Sequence, residues 1–340
     1  MDSLDLPLIW ALIIAFAVFM YVALDGFDLG IGILFPFVEQ RRSRDQMMHS
    51  IAPVWDGNET WLVLGGGGLF AVFPVAYSIL LTAFYAPLII MLLALVLRGV
   101  AFEFRERDER HRPIWDFSFA AGSWLATFCQ GVVLGTFVQG VDVSGRQYAG
   151  GWFDWCTPFS LLVGASLVAG YALLGAGWLV MKTEGALREN MYQRIRPLTV
   201  CLVGGITTVS VATPWLNEAI AQRWFSWPNA LYFAPVPILT ATAAYALLRY
   251  HRTRAQRART DSGPFLLTLI LFALSYLGLG VSLFPMVVPH SIDIWAAAAP
   301  DQSLSFLLIG AVVLLPLILV YTSYTYWVFR GKVPSEASYH

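Results

Sequence analysis

Asp56, Asn58 and Glu59 stand near the head of a run, residues 50–77, that is otherwise suited only to hydrocarbon. An ionisable side chain at membrane depth costs roughly 2.5 kcal/mol or more, so it persists where it is paired or lines a hydrated route for protons or ions. Residues 24–34, LDGFDLGIGIL, repeat the oddity with Asp25 and Asp28. Each acid pair is spaced i, i+3, which puts both carboxylates on one helix face about 4.5 Å apart along the axis. Two close carboxylates in a low dielectric do not both ionise readily, so one of them is expected to hold a proton. A proton relay needs that arrangement, and so does a satisfied structural hydrogen bond.

The second pair has its own bland explanation. Pro53 suits a first helical turn, and Asp56 would there meet the positive end of the helix dipole. Asn58 and Glu59 go deeper than a cap requires, which favours proton uptake from the arginine-rich side of the membrane. Arg98 closes a later apolar run, with Glu103 five residues on. A buried guanidinium needs an anion, and the acids above or a cofactor propionate in a partner could supply it; an ordinary ion pair is the alternative. Metal ligation has little support. His49, His111 and His251 fall in polar connections, His290 in another and His340 near the end, so none occupies mid-span, where an axial haem ligand sits. Cys129, Cys156 and Cys201 form neither a disulfide framework nor a CxxC metal motif.

These residues must be positioned by membrane helices. The 340 residues are 58% hydrophobic and 13% charged, and the apolar runs are continuous over about 20 residues, which excludes a β-barrel. Nine runs can be drawn, at 7–38, 51–74, 77–102, 115–138, 158–181, 197–217, 228–249, 264–288 and 304–329. Alternate connections hold 19 of the 21 Lys and Arg residues, leaving Arg146 and Arg223 on the other side. The positive-inside rule then predicts an all-α, polytopic bundle of nine transmembrane helices, N-terminus periplasmic and C-terminus cytoplasmic. No connection is long enough for a soluble domain, so residues 1–340 read as a single integral membrane domain. Asp2 and Asp5 precede the first span without the basic segment of a signal peptide, so that span is expected to be retained. Net charge is −1, which argues against a nucleic-acid partner. Trp152, Trp155, Trp224, Trp227 and Trp295 read as interfacial anchors. Gly65 to Gly68 read as a site of close helix packing, and Pro74, Pro87, Pro285 and Pro316 as helix ends or kinks.

GFDLGIGIL at 26–34, SIAPVWDGNETWL at 50–62, GGGLFAVFPVAY at 66–77 and FYAPLIIMLLALVLRGVAFEFR at 84–105 resemble subunit II of the cytochrome bd-type ubiquinol oxidases, including the cyanide-insensitive branch. The resemblance is specific over residues 20–105; beyond them it rests on topology. It implies a haem-free, nine-span subunit of a bacterial inner-membrane quinol oxidase, in a heterodimer with a haem-bearing subunit I. Two haems b, haem d and the quinol site are then expected in that partner. By the same resemblance Asp56 belongs to a cytoplasmic proton path toward haem d. Asn58, Glu59, Asp25 and Asp28 are its expected companions. Arg98, Glu103, Trp55 and Trp61 are expected at the subunit interface or in charge pairs, with Trp61 near an apolar oxygen route. Glu59 departs from the neutral amide of other members. The resemblance also leaves room for a structural quinone or lipid and for a small single-helix accessory subunit. The rival reading of the same acids is a proton-coupled secondary transporter, which predicts helices broken at the midplane in matching halves.

Overall fold

The computed structural model describes residues 4–250 and 262–333. Its helices, in chain order, are α1 (Leu6–Leu34), α2 (Arg41–His49), α3 (Trp55–Val72), α4 (Pro74–Ala83), α5 (Tyr85–Phe104), α6 (Arg112–Gln139), α7 (Pro158–Lys182), α8 (Gly185–Leu216), α9 (Glu218–Phe225), α10 (Asn229–Phe233), α11 (Pro235–Tyr250), α12 (Gly263–Leu283), α13 (Ile294–Ala297) and α14 (Asp301–Val328). Two small antiparallel hairpins complete it, β1 (Val143–Ser144) with β2 (Gln147–Tyr148) and β3 (Met286–Val288) with β4 (Ile292–Asp293). Eight helical stretches are long and apolar enough to cross a membrane. The 18-residue α3, which carries Asp56, Asn58 and Glu59, is not among them, because its polar residues dilute an otherwise apolar run.

The 29-residue α1 is the axis of the molecule, packed against α3, α6, α7, α12 and α14. Asp5 caps it by accepting from the Leu8 amide at 3.1 Å, and Pro7 fits the first turn, where its missing N–H costs nothing. Its last third is fully enclosed because glycines let α7 come close. A Cβ on Gly30 would collide with the Tyr171 backbone carbonyl, and one on Gly175 would meet the Gly30 backbone at 2.5 Å. Phe27, one residue before Asp28, then stacks on Trp178 of α7 with ring centroids 4.1 Å apart.

Three expected boundaries shift. The third apolar run starts at residue 85, not 77: Phe73 leaves the helical region, Pro74 opens the short α4, and α5 begins at Tyr85. Ala76, Ile79, Leu80 and Ala83 of α4 bury themselves among Val288, Ile294, Ala297 and Leu304, so α4 packs against the hairpin and α13 at one end of the bundle. The sixth run is the inner part of α8, whose first turns extend out to Gly185. Within Gly65 to Gly68, only Gly65 and Gly68 face α1, where an added Cβ would touch Val18 and Ile14; Gly66 and Gly67 look outward into open space. The run expected to reach residue 288 ends as α12 at Leu283, with Pro285 just beyond it and Met286–Val288 in β3, while Pro316 lies inside an unbroken α14.

Contacts between connections put the basic segments at one end. Arg41 reaches Glu109 at 2.8 Å, Arg194 reaches the Phe37 carbonyl at 3.0 Å, and Lys332 reaches Glu184 at 3.3 Å. These contacts join the segments that follow α1, α5, α7 and α14. Arg146 and Arg223 instead bond the carbonyls of Ala296 and Phe284 at the opposite end. Arg252, Arg254, Arg257 and Arg259 lie outside the described residues. At that opposite end Trp152 and Trp227 are largely exposed, as anchors would be, and Tyr148 lies 2.9 Å from Asp154. Partial burial, with that carboxylate adding to it, pushes the Tyr148 hydroxyl up to about 12.

The α1–α7 contact generates a direct expectation. Gly30→Leu should force the two backbones apart and cost about 3 kcal/mol or more, the scale of severe overpacking. Yield and thermal unfolding of the purified protein check this, with Gly66→Leu expected to leave the chain's own fold intact.

Candidate functional site

Asp25 and Asp28 lie in the enclosed last third of α1, and both are 0% exposed. Arg98 of α5, 1% exposed, donates Nη1 to Asp25 Oδ1 at 2.8 Å and to Glu59 Oε1 of α3 at 3.2 Å. Asn58 of α3 donates Nδ2 to Asp28 Oδ2 at 2.7 Å, while its Oδ1 accepts the Tyr326 hydroxyl of α14 at 3.0 Å. Four helices meet in this polar knot. Three carboxylates stand there with one guanidinium, which bonds Asp25 and Glu59 but not Asp28, and hydrocarbon surroundings do not tolerate the two uncompensated charges that full ionisation would leave. Asp25 Oδ2, Asp28 Oδ1 and Arg98 Nη2 are buried with no hydrogen-bond partner among the described residues, so the knot has capacity for additional protons or water.

A second tier lies beside it, away from the basic end. Tyr171 of α7 donates to Gln130 Oε1 of α6 at 3.0 Å, and Gln130 Nε2 donates to the Tyr21 hydroxyl at 2.7 Å, one turn before Asp25 on α1. The polar interior therefore extends from Tyr326 and Asn58 through the acid knot to Gln130.

The helix α3 has two faces. Asn58, Trp61, Gly65 and Val72 are buried against the bundle. Asp56, Thr60, Val63, Gly67 and Phe70 are exposed, at the i, i+4, i+7 spacing of one stripe. Asp56 thus turns away from the knot and out of the chain, although it follows Trp55 in the first turn of α3, where the helix dipole favours an anion. Pro53 lies in the turn before the helix. Glu59 sits between the two faces, with its side chain 27% exposed.

The remaining expected residues divide. Trp55 packs on Phe102 with centroids 5.1 Å apart and covers Gly99. Trp61 is fully buried, edge-on to Phe16 at 5.8 Å, among apolar side chains of α1 and α14. Glu103 takes no part in the knot: it is exposed and lies 4.0 Å from Arg107. Five residues along a helix turn the side chain roughly 140° away, so Arg98 finds its anions on α1 and α3 instead. Reading the sequence missed Tyr326, Gln130, Tyr21 and Tyr171; Gln130, a polar side chain inside an apolar run, was the visible signal. It also missed Arg105, 1% exposed, which joins Asp116 at 2.5 Å and Asp45 at 2.7 Å. Arg44 adds a bond to Asp116 at 2.9 Å, and both guanidinium groups lie over the Phe35 ring, which fastens α2, α5 and α6 together at the basic end.

Among the described residues no three His, Cys, Asp or Glu side chains are grouped to hold a metal ion. His49 pairs with Glu106, His111 with Asp108, and His290 faces the Val138 carbonyl, all at helix ends or in connections. His251 and His340 lie outside the described residues. Among the described residues no histidine lies in the bundle interior.

Residues 6–329 match the family described as cytochrome bd terminal oxidase subunit II. The chain belongs to that family. It is 31% identical to cytochrome bd-I ubiquinol oxidase subunit 2 of Escherichia coli (strain K12), covering 97% of this chain and 96% of that protein. It is 26% identical to cytochrome bd ubiquinol oxidase subunit 2 of Bacillus subtilis (strain 168), covering 96% of each. The fold is similar to a chain in the structure of bd oxidase from Geobacillus thermodenitrificans, with a TM-score of 0.74 and 16% identity over 96% of this chain and 99% of that one. As a family member the chain is a multi-pass helical membrane protein and a subunit of a terminal oxidase, with a subunit I partner and haems in the complex.

Removing Arg98 should therefore harm the fold itself. Arg98→Met leaves buried carboxylates without a cation and is expected to cost about 3–5 kcal/mol, with Asp25→Asn in the same chain recovering part of the loss. Thermal unfolding of the four members of that cycle measures it.

Proposed function

We propose that this chain is the haem-free subunit II of a bacterial inner-membrane quinol:oxygen oxidoreductase and supplies part of the route by which cytoplasmic protons reach the oxygen-reducing site. The haems, two of type b and one of type d, would belong to subunit I and provide the electron transfer and oxygen chemistry. The present chain would hold that partner in a heterodimer and handle protons. Family membership supports the reaction, and the position of the described histidines at helix ends and in connections supports placing the haems elsewhere. Nine spans follow if α3 is counted with the eight helical stretches that are long and apolar enough to cross, and the gathered arginines support a cytoplasmic location for their end of the bundle.

The observation that carries the reading is the outward stripe of α3. A carboxylate facing lipid is strongly disfavoured, so Asp56, Thr60 and the open Gly66 and Gly67 mark a face covered by another polypeptide. The glycines let a partner helix approach, and Asp56 then lies in the seam between subunits, within the first turn from the cytoplasm. Glu59, reaching from that seam to Arg98, connects it to the inner acids Asp25 and Asp28. In this reading Asn58 orients Asp28, Arg98 balances the charge of Asp25 and Glu59, and Trp55 and Trp61 wall the route with apolar surface. A secondary transporter has less support: the prolines of α8 and α14 sit in continuous helices, and the break between α3 and α4 is at one end of the bundle, away from the midplane.

In the two-subunit enzyme, Asp56→Asn should lower oxygen consumption about tenfold or more, as loss of a proton-transfer group does, with the haem absorption spectrum unchanged. Full turnover with Asp56 neutralised would remove it from the path, and full turnover of every acid variant would leave the chain a purely structural subunit. Haem bands in this chain purified without subunit I would overturn the haem-free assignment.

A further inference from the structure

The cytoplasmic ends of α2, α7 and α14 leave a cleft of about 290 Å³ between them. Its walls include His49 at the end of α2, Val54 from the α2–α3 connection, Trp178 and Lys182 from α7, and Tyr326 from α14. Water occupies roughly 30 Å³ per molecule, so this space, walled mostly by apolar side chains but with His49, Ser50, Lys182 and Lys332 on its lining, has room for several. Residues 329–333 form its outer edge as a strap. Lys182, 5.0 Å from the Trp178 ring, donates to the carbonyls of Phe329 and Gly331. The Val333 amide donates to the Lys182 carbonyl at 2.8 Å, and Gln46 Nε2 donates to the Val333 carbonyl at 2.8 Å.

Tyr326 connects this cleft to the acid knot. Its ring stands edge-on to both Phe27 and Trp178, with centroids 6.5 and 6.0 Å away, while its hydroxyl bonds Asn58, which bonds Asp28. The chain of donors runs one way: Tyr326 to Asn58, and Asn58 to Asp28. A carboxamide used in this manner passes no proton along, because its nitrogen has no lone pair to accept one and its oxygen carries no hydrogen to give. The bond is therefore a closure rather than a wire.

We propose that the cleft is a cytoplasmic proton entrance internal to this chain, separate from the Asp56 stripe, and that the Tyr326–Asn58 hydrogen bond is the gate between its water and the Asp28 carboxyl. Asp28 is the acid of the knot without a cation in hydrogen-bond contact, so charge balance places a shared proton there. Opening needs only that Tyr326 swing on α14, a helix of which Leu304 alone is buried. Water would then enter past Asn58 and reach Asp28 Oδ1, which has no partner among the described residues, and Asp28 would exchange its proton with the cleft. The inference deepens the proton-supply reading and rests on it for its physiological use, but the gate can be tested without turnover.

The test is infrared measurement of hydrogen–deuterium exchange in the intact two-subunit enzyme, following the carboxylic C=O band that disappears in Asp28→Asn. Tyr326→Phe keeps the ring and removes the bond, and should speed the exchange about fivefold, the size of one net hydrogen bond. Gly331→Trp should slow it by a comparable factor, because a Cβ there meets only open space and the indole can fill the cleft; Gly331→Ala should leave it unchanged. Asp56→Asn should leave Asp28 exchanging at the wild-type rate. Exchange that ignores Tyr326 and Gly331, exchange that follows Asp56, or the absence of any band dependent on Asp28 overturns the gate. If exchange obeys the gate while oxygen consumption ignores every acid, the entrance stands and the proton-supply function falls.

Discussion

One guanidinium, buried where lipid surrounds the bundle, is the constraint on which the rest of the structure depends. Arg98 cannot shed its charge and cannot reach bulk water, so carboxylates must be brought to it from elsewhere in the chain. Asp25 comes on α1 and Glu59 on α3, which fixes the rotation of both helices relative to α5. The cost of that ion cluster is offset by packing that can occur only when the backbones are close. The Gly30 and Gly175 contact, the Phe27 and Trp178 stack, and the narrow approach of Gly122 to Ala94 and Arg98 all surround the knot. Polar cluster and glycine contacts are thus one design: the first needs a dry, rigid shell, and the second supplies it.

The same constraint separates two populations of polar side chains on a single short helix. Asn58 faces the interior and Asp56 faces out, only two residues away, because a helix turns about 200° over that distance. Glu59 bridges them. A helix that presents one polar face to its own bundle and another to its surroundings is expensive in a membrane unless both are covered. In the proposed assembly α3 takes the position of a seam, and a neighbouring polypeptide would account for both the glycines and the carboxylate on its outer stripe.

Much of this was legible in the chain. Asp25, Asp28, Asn58 and Arg98 advertise themselves because each is a polar side chain in a stretch that would otherwise be lipid-soluble, and the basic segments that follow α1, α5, α7 and α14 gather at one end. Glu103 shows the limit: proximity in sequence to Arg98 made it a natural partner, and helical rotation turns it to the surface. Tyr326 shows another, since a tyrosine in an apolar helix normally reads as an interfacial anchor and nothing local distinguishes one that reaches inward. The α4 segment misled for a third reason. Its composition is that of a span, but Pro74 and the break at Phe73 redirect it to pack on the end of the bundle.

What the sequence determines by itself is the solvent and the inventory. Twenty-residue apolar runs require membrane helices because backbone polar groups have no other partners in hydrocarbon, and the misplaced charges require pairing because the same medium refuses them alone. What only the tertiary structure decides is who pairs with whom. Helix rotation and long-range contact assign Arg98 to Asp25 and Glu59 rather than Glu103, turn Asp56 outward, and bring Tyr326 across 268 residues of chain to Asn58. Those choices depend on how glycine-bearing surfaces interlock at distances of a few ångströms, and no periodicity within one helix encodes the surface of another.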